Sequence, residues 1–569
     1  MPRTQHTCLA IIAVAGALSC RAAPASSRPA DLVVYGRVWT GDSARPWAQG
    51  VAVVGDRIVE VGDSGSMAKL IGSSTKVISN GKAMVVPGFM DGHLHFTDGG
   101  FQLASVDLRP ANSPEEFVAR LKDFALERRP GEWILGGDWD HERWPGAPLP
   151  RRQWIDSVTP NNPVFVNRLD GHMGLANSAA LRAAKITRAT KDIRGGVIVR
   201  DPRTGDPTGI LKDEAMGPVV RAIPEPTSAQ RDAALRRALV YAASKGVTAF
   251  AHVSVNPADL GTYLRAKQAG ALTARAALYF PLETWHAVAD TVAKLGRGDN
   301  WVWIGGVKGY VDGSLGSTTA LFYSPYNDDP KTSGVLVTPE DSLRRWIGAA
   351  DSAGLQVAVH AIGERANGLI LDIYDSVAKA HGHRDRRFRI EHAQHLRRQD
   401  IARLARSGVI ASMQPYHAID DGRWAEKRIG PERIKTTYAF RSLLDNGAHL
   451  AFGSDWTVAP IDPILGIYAA VTRRTLDGKN PNGWIPDQKI TVEEALRAYT
   501  AGDAYAVFAE RSRGKLAPGF LADLVLLDQN LTAISPSAIE QAEVRATIVG
   551  GTVVFERQSD ARLGRDGSR

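Results

Sequence analysis

Eight short runs of β-branched and apolar residues recur through the chain, at Val85 to His93, Val247 to Val253, Ala274 to Phe280, Ile304 to Val311, Leu355 to Ala361, Phe388 to Ala393, Val409 to Gln414 and Leu450 to Ser454. Helical patterns separate most of them, for example at Arg231 to Lys245, Asp341 to Ala353, Ala366 to Lys379 and Arg398 to Ser407. Strands that follow one another in parallel need a long crossover, which a helix supplies. Eight such units point to a (β/α)8 barrel. The 569 residues would otherwise suggest about three or four domain-sized units, but a barrel uses well over 200 residues as one.

One connection breaks the rhythm, because about 150 residues lie between the first and second runs, far more than a crossover requires. The sequence therefore predicts a lobe at 97–226 inserted into a barrel spanning 87–514. The lobe is rich in Trp, Gly, Asp and Pro, in WILGGDWDHERWPGAPLP, PVFVNRLDGHMGLANSAAL and GGVIVRDPRTGDPTGILKDEAM. Loops that follow barrel strands build the active face, so this lobe is expected to cover the substrate. From Asp31 to Val86 the chain reads as short strands with Gly-Asp and Asn-Gly turn signals, and the same texture returns from Ala522 to Glu556. These segments, 30–86 and 515–557, are expected to form one small β-sandwich domain from both ends of the chain. Residues 558–569 are polar and read as a frayed tail.

The first 25 residues carry Arg3, an apolar run from Cys8 to Leu18 and then small residues, the build of a secretory signal and too short for a membrane span. Both cysteines, Cys8 and Cys20, fall in this leader, so no disulfide framework is expected and any metal must be held by nitrogen and oxygen. Ala17-Leu18-Ser19-Cys20 is an imperfect lipoprotein box that would anchor the chain by a lipid at Cys20, while Ala23-Pro24-Ala25 is a competing cut that would free it. Either way the expected destination is the bacterial periplasm. The formal net charge of +8 is spread thinly, and its basic clusters are interrupted by acids or apolar residues, which argues against a nucleic-acid groove and for a small-molecule substrate. Oligomeric state is not legible here, and a homodimer is compatible with the sequence.

Polar residues recur at the ends of the predicted strands. In VVPGFMDGHLHF, His93 and His95 lie two apart, so on a strand they face the same way, the geometry two ligands need to grip one ion. Lys308 lies within the fourth run, His360 on the fifth, His392 on the sixth and Asp455 on the eighth. Each has an ordinary reading: the histidines as satisfied core residues, Asp455 as a helix cap. Lys308 is harder to explain that way, since an ammonium facing a barrel interior must be paired or chemically changed. Six coincidences at strand ends favour a shared metal site, because catalytic residues of barrels stand there.

With these residues in hand, the chain resembles the metal-dependent amidohydrolase superfamily, in the branch that includes N-substituted formamide deformylases. The resemblance runs from about Asp31 to Glu556 and rests on PGFMDGHLHF, GGDWDHERWPG, LDGHMGLANSAAL, VKGYVDGSLGSTTA, VHAIGERA, RIEHAQ, FGSDW and GKLAPGFLADLVLLD. It implies His93 and His95 on one metal, His360 and His392 on a second, and Asp455 beside the first. It also implies that Lys308 is carboxylated by carbon dioxide and bridges two divalent transition-metal ions. Imidazole and oxygen donors without thiolates suit zinc, and manganese, iron or nickel also fit by ligand type.

The implied chemistry is hydrolysis of a carbon–nitrogen bond, most simply in an N-acyl or N-formyl amine. A metal-bridged hydroxide would attack the carbonyl, and Asp455 would carry a proton to the leaving nitrogen. His172, in LDGHMG, matches a position that would contact the carbonyl or its oxyanion; its alternative is a loop histidine holding a turn. Trp139, Ser314, Tyr416 and Trp456 are candidates for the pocket wall, although loop aromatics also serve packing. Glu364, in HAIGE where the family often has Asp, is a further candidate for substrate contact, with its carboxylate moved by one methylene. The alternatives are an esterase, lactonase, cyclic amidase or deaminase on the same site, or a surface lipoprotein that binds a ligand without turning it over.

Overall fold

Eight parallel strands, Phe89–Leu94, Val247–His252, Arg275–Pro281, Val302–Tyr310, Gln356–Ala361, Arg389–His392, Ile410–Met413 and Leu450–Phe452, pair in chain order in a computed structural model that describes residues 28–558. The leader, Cys20 with its lipid-anchor reading, and all but the first residue of the polar tail lie outside the described residues. Among the described residues no helix is long and apolar enough to cross a membrane. Every residue of the second and fifth strands is buried, as parallel strands covered on both faces must be. The surrounding helices turn apolar stripes inward; Glu340–Ser352 buries Leu343, Ile347 and Ala350, which fall on one helical face. Ser228–Ser244 begins at a capping box formed by Thr227 and Gln230, which satisfies two backbone N–H groups that a helix end leaves free.

The seam between the eighth and first strands closes at the C-terminal face. There the Asp455 N–H donates to the His93 carbonyl at 2.7 Å and the His95 N–H to the Trp456 carbonyl at 2.5 Å. Main-chain closure of the barrel thus brings Asp455 against the two histidines.

The run from Val85 to His93 is not one strand, as its apolar character suggests. Val85, Val86 and Pro87 end the long strand Lys76–Pro87, and Phe89–Leu94 begins after Gly88. A Cβ on Gly88 would lie 2.2 Å from Thr248 Oγ1, so only glycine lets the chain pass so close to the second barrel strand. Lys76–Pro87 occupies the middle of a seven-stranded sheet. It pairs in parallel with Leu32–Trp39 and antiparallel with Leu524–Leu527, so both ends of the chain share one sheet, over a core that includes Val34, Val53, Ile58, Leu524 and Ile548. Arg275, at the start of the third barrel strand, ties this sheet to the barrel floor through two bonds to Asp523 at 2.8 and 2.9 Å. A carboxylate held by both arms of a guanidinium fixes orientation as well as charge.

The insertion after the first strand carries a six-stranded sheet running from Val106–Asp107 at one edge to Gly196–Arg200 at the other. It has a core of its own around Leu108, Phe117, Leu121, Trp139, Trp144 and Leu175.

Away from the strand ends, His395 is buried with Nδ1 bonded to Thr437 Oγ1 at 2.8 Å. Burial, helped by the charge of Arg433, pushes its pKa down from 6.5 to about 3. Between those values the unfolded chain holds a proton that the folded chain refuses, so stability is lost as pH falls below 6.5, by about 1.4 kcal/mol per pH unit for such a group. Stability should therefore fall between neutral pH and about pH 5, and His395→Gln should reduce that slope by up to this amount. Denaturant titrations at several pH values check it; equal slopes in the two proteins would overturn it.

Candidate metal centre

The C-terminal ends of the strands converge on a cavity of about 330 Å³ lined by His93, His95, Lys308, His360, His392 and Asp455, with Asp170, His172 and Asp213 from the lobe. His93 is completely buried; its Nδ1 is bonded to Glu391, and its Nε2 has no hydrogen-bond partner among the described residues and lies 3.4 Å from Asp455 Oδ1. His95 is not on the strand, which stops at Leu94. It leads into the helix Phe96–Gln102 with φ −110° and ψ 75°, and this turn brings its Nε2 within 3.4 Å of the same Asp455 oxygen. One ligand atom each from His93, His95 and Asp455 lie within 4.8 Å of one another.

His360 and His392 complete the ring. His360 Nε2 lies 3.0 Å from the Gly313 carbonyl and must donate there, which leaves the Nδ1 lone pair free. His392 makes the opposite choice: its Nδ1 is 2.7 Å from Gln414 Oε1, so Nε2 keeps the lone pair. The outward hydrogen bond of each histidine thus sets which nitrogen remains available for an ion. The ring centroids of His360 and His392 are 4.5 Å apart, and those of His93 and His392 are 4.8 Å apart. Lys308 is buried, with Nζ 4.4 Å from the centroid of the Tyr310 ring, two residues on along the same face of the fourth strand. Among the described residues it forms no ion pair within 4 Å.

Two residues of this cluster hold left-handed backbone, His392 at φ 75° and Asp455 at φ 58°. Such conformations cost about 1–3 kcal/mol each and persist only where the surroundings impose them; for Asp455 the bond to the His93 carbonyl is one such constraint. Burial raises the pKa of the Asp455 carboxyl, but His93, His95 and His392 together outweigh that and hold it well below the usual range. It is an anion facing imidazole nitrogens.

Glu391 and Arg389, which the sequence reading did not single out, stand behind His93. Arg389 donates from Nε to Glu391 Oε1 at 2.7 Å and from Nη2 to Oε2 at 3.1 Å, to the Gly92 carbonyl at 2.6 Å and to Ser412 Oγ at 3.1 Å. Burial opposes ionisation of Glu391, yet the Arg389 and His93 charges keep its pKa far below the ordinary carboxylate value. Two opposite charges alternating within a wholly buried strand were the available signal, since buried charges occur paired.

Over the cavity, the lobe is pinned by Asp170, which accepts from Arg168 Nη1 at 2.7 Å, Ser314 Oγ at 2.5 Å and Ser317 Oγ at 3.0 Å. The His172 N–H donates to Asp170 Oδ1 at 3.2 Å, and His172 Nδ1 is 2.7 Å from Asp213 Oδ1. This carries the His172 ring to within 5.0 Å of the His360 ring, centroid to centroid. Asp170 and Asp213 were absent from the sequence reading because their partners lie on other elements.

Three residues proposed for the pocket wall, and Glu364 with them, are elsewhere, and Ser314 is a support beneath the lobe rather than a wall. Trp139 is fully buried in the lobe core, its Nε1 donating to the Val166 carbonyl at 2.9 Å. Trp456 packs edge-on against Phe96, at 6.0 Å between centroids, in a space that exists because residue 99 is glycine: a Cβ there would be 2.5 Å from the indole. Tyr416 lines a neighbouring cavity with Arg109, Asp140 and Arg423. Glu364 lies in the first turn of the helix Glu364–His381, outside the lining of the cavity.

The donors fit a metal. A buried imidazole nitrogen without a partner, two further nitrogens whose tautomers are preset, and an anionic carboxylate within reach are a hard-to-borderline set for a divalent transition ion. Comparison with known proteins agrees. A model of the amidohydrolase family matches residues 76–555. Protein LONG AFTER FAR-RED 3 of Arabidopsis thaliana is 42% identical over 540 residues, covering 92% of this chain and 91% of that protein. N-substituted formamide deformylase of Arthrobacter pascens is 28% identical over 550 residues, covering 92% and 98%. The crystal structure of an uncharacterized metal-dependent hydrolase from Pyrococcus horikoshii is similar at a TM-score of 0.72 with 31% identity, covering 89% of this chain and 99% of that one. A family model spanning most of the chain, over a barrel whose strand ends gather histidines and a carboxylate, has one meaning: this chain is a hydrolase belonging to the amidohydrolase family.

Proposed function

We propose that the chain hydrolyses the carbon–nitrogen bond of an N-acyl or N-formyl amine, using two divalent transition-metal ions, zinc by ligand type. His93, His95 and Asp455 would hold one ion, His360 and His392 the other, and Lys308 would lie between them as its carbamate. The observation that carries this reading is Lys308: a buried lysine without an ion pair among the described residues, sharing its cavity with imidazoles whose lone pairs are oriented, is accounted for if its nitrogen is carboxylated and anionic. When bound, the ions supply a water of lowered pKa and polarise the substrate carbonyl. The similarity to a formamide deformylase supports the N-formyl class of substrate.

The chain's own groups divide the remaining work. Asp455 presents a carboxylate oxygen 3.4 Å from both His93 Nε2 and His95 Nε2; there it can take a proton from the attacking water and return it to the departing nitrogen, which leaves poorly as an amide anion. His172, with Nδ1 fixed by Asp213, would offer its other nitrogen to the carbonyl oxygen as it gains charge. Met216, Val337 and Val458 give the cavity its apolar wall, suited to the hydrocarbon part of an amine.

The test is metal analysis of the protein prepared with bicarbonate, beside Lys308→Ala. About two equivalents of metal are expected, with a loss of about one or more in the variant together with loss of N-formyl amine hydrolysis. Metal-free protein of both kinds would overturn the reading.

A further inference from the structure

His417 has no part in the site as described so far. It lies in the short helix Pro415–Asp421 that follows the seventh strand, in the run Gln414-Pro415-Tyr416-His417, whose Gln414 sets the tautomer of His392. Its Nε2 is buried and has no hydrogen-bond partner among the described residues. The ring is nearly parallel to that of His392, at 15°, with centroids 6.4 Å apart. One ligand atom each from His392, His417 and Asp455 lie within 4.8 Å of one another, a looser group than His93, His95 and Asp455, since His392 Nδ1 is 4.0 Å from Asp455 where the Nε2 atoms of His93 and His95 are at 3.4 Å. Two three-donor groups therefore meet at one carboxylate.

A buried imidazole nitrogen left unpaired is destabilising, and an apolar residue of similar size would avoid that. The cavity is lined from the first, fourth, fifth, sixth and eighth strand ends and His417 is not part of that lining; it comes from the segment after the seventh strand and stands beside His392, ring to ring. We propose that His417 is a metal ligand: with His392 and Asp455 it forms a cation position that overlaps the second ion's place, so this ion is held from the sixth and seventh strand ends as well as the fifth. Two imidazoles and a carboxylate select zinc, cobalt or nickel over magnesium or calcium. The inference rests on the reading of the cavity as a metal centre, and it adds a ligand to that centre.

Cobalt(II) titrated into the chelator-stripped full-length protein provides the test, read by equilibrium dialysis and by the visible absorption of the bound ion. The wild type should take up two equivalents. His417→Gln should bind the first equivalent as before, bind the second at least about tenfold more weakly, and show a changed spectrum for that second ion. His417→Glu, which restores an oxygen donor, should recover the second equivalent. A second equivalent of wild-type affinity and spectrum in His417→Gln would overturn the proposal while leaving the metal centre standing; that result would hand the imidazole to the substrate instead. No bound cobalt in the wild type would overturn both this proposal and the metal centre itself.

Discussion

Asp455→Asn is expected to lower kcat/KM for an N-formyl amine by about 10²- to 10⁴-fold, the range of a lost general acid–base group. The amide side chain keeps an oxygen beside His93 and His95 but cannot accept and release a proton, and it removes the negative charge that the three histidines stabilise. Two effects are therefore combined, and they separate by substrate. An ester leaves as an alkoxide and needs its leaving group protonated far less than an amide does, so the matched formyl ester should lose markedly less activity. Metal analysis of the variant completes the measurement, since loss of an ion would depress both substrates together. Equal losses on amide and ester with metal retained would remove Asp455 from the proton path.

Arg389→Met should destabilise the fold by about 3–5 kcal/mol, the cost of leaving a buried charge without its partner. Both side chains of the Arg389–Glu391 pair are at 0% exposure, so no water compensates Glu391 once the guanidinium is gone. The pH dependence gives the sign. In the wild type the Glu391 pKa is depressed by Arg389 and His93 against the opposing effect of burial, so its contribution to stability is full above the ordinary value of 4.5 and is lost as pH falls below it. In Arg389→Met burial dominates, the carboxyl prefers its proton, and lowering the pH no longer costs that contribution. The gap between the two proteins should narrow in acid. Denaturant midpoints near pH 7 and near pH 4 measure it, and a double variant with Glu391→Leu should recover much of the loss, because a well-packed apolar pair often replaces a buried ion pair at little cost. A stability change below about 1 kcal/mol in the single variant would show that Glu391 is not held by this pair.

The barrel was legible because its signal is local. β-Branched runs alternating with amphipathic helices are properties of neighbouring residues, and seven of the eight barrel strands begin and end within two residues of those runs. The exception is the first, where the apolar stretch from Val85 continues across two different sheets; periodicity does not register a change of partner, and Pro87 and Gly88 were the only punctuation. The residue types at the strand ends were legible for the same reason, and the structure gathers His93, His95, Lys308, His360, His392 and Asp455 around one cavity.

The aromatic residues show where that logic stops. Trp139 ends a strand of the lobe and Trp456 follows the eighth barrel strand, as a pocket wall would, yet both are buried in packing, because an indole at a strand end turns toward whichever side offers space. For Trp456 the space is the missing side chain of Gly99, a residue distant in sequence and unremarkable on its own. His417 is illegible for the opposite reason: nothing in QPYH says that its ring stands parallel to that of His392, with a nitrogen within 4.8 Å of ligand atoms of His392 and Asp455.

By itself, then, the sequence determined the alternation of strands and helices, the long insertion after the first strand and the identity of the groups at the strand ends. Those depend on side-chain period and chemistry within a few residues. Only the tertiary structure decided which nitrogen of each histidine is free, which carboxylates stand behind them and which candidates face the cavity. The reason is that each of these choices is made by a partner far away in the chain: Glu391 bonds His93 across 298 residues, Asp213 bonds His172 across 41, and a proton's position on an imidazole is set by the group it points at.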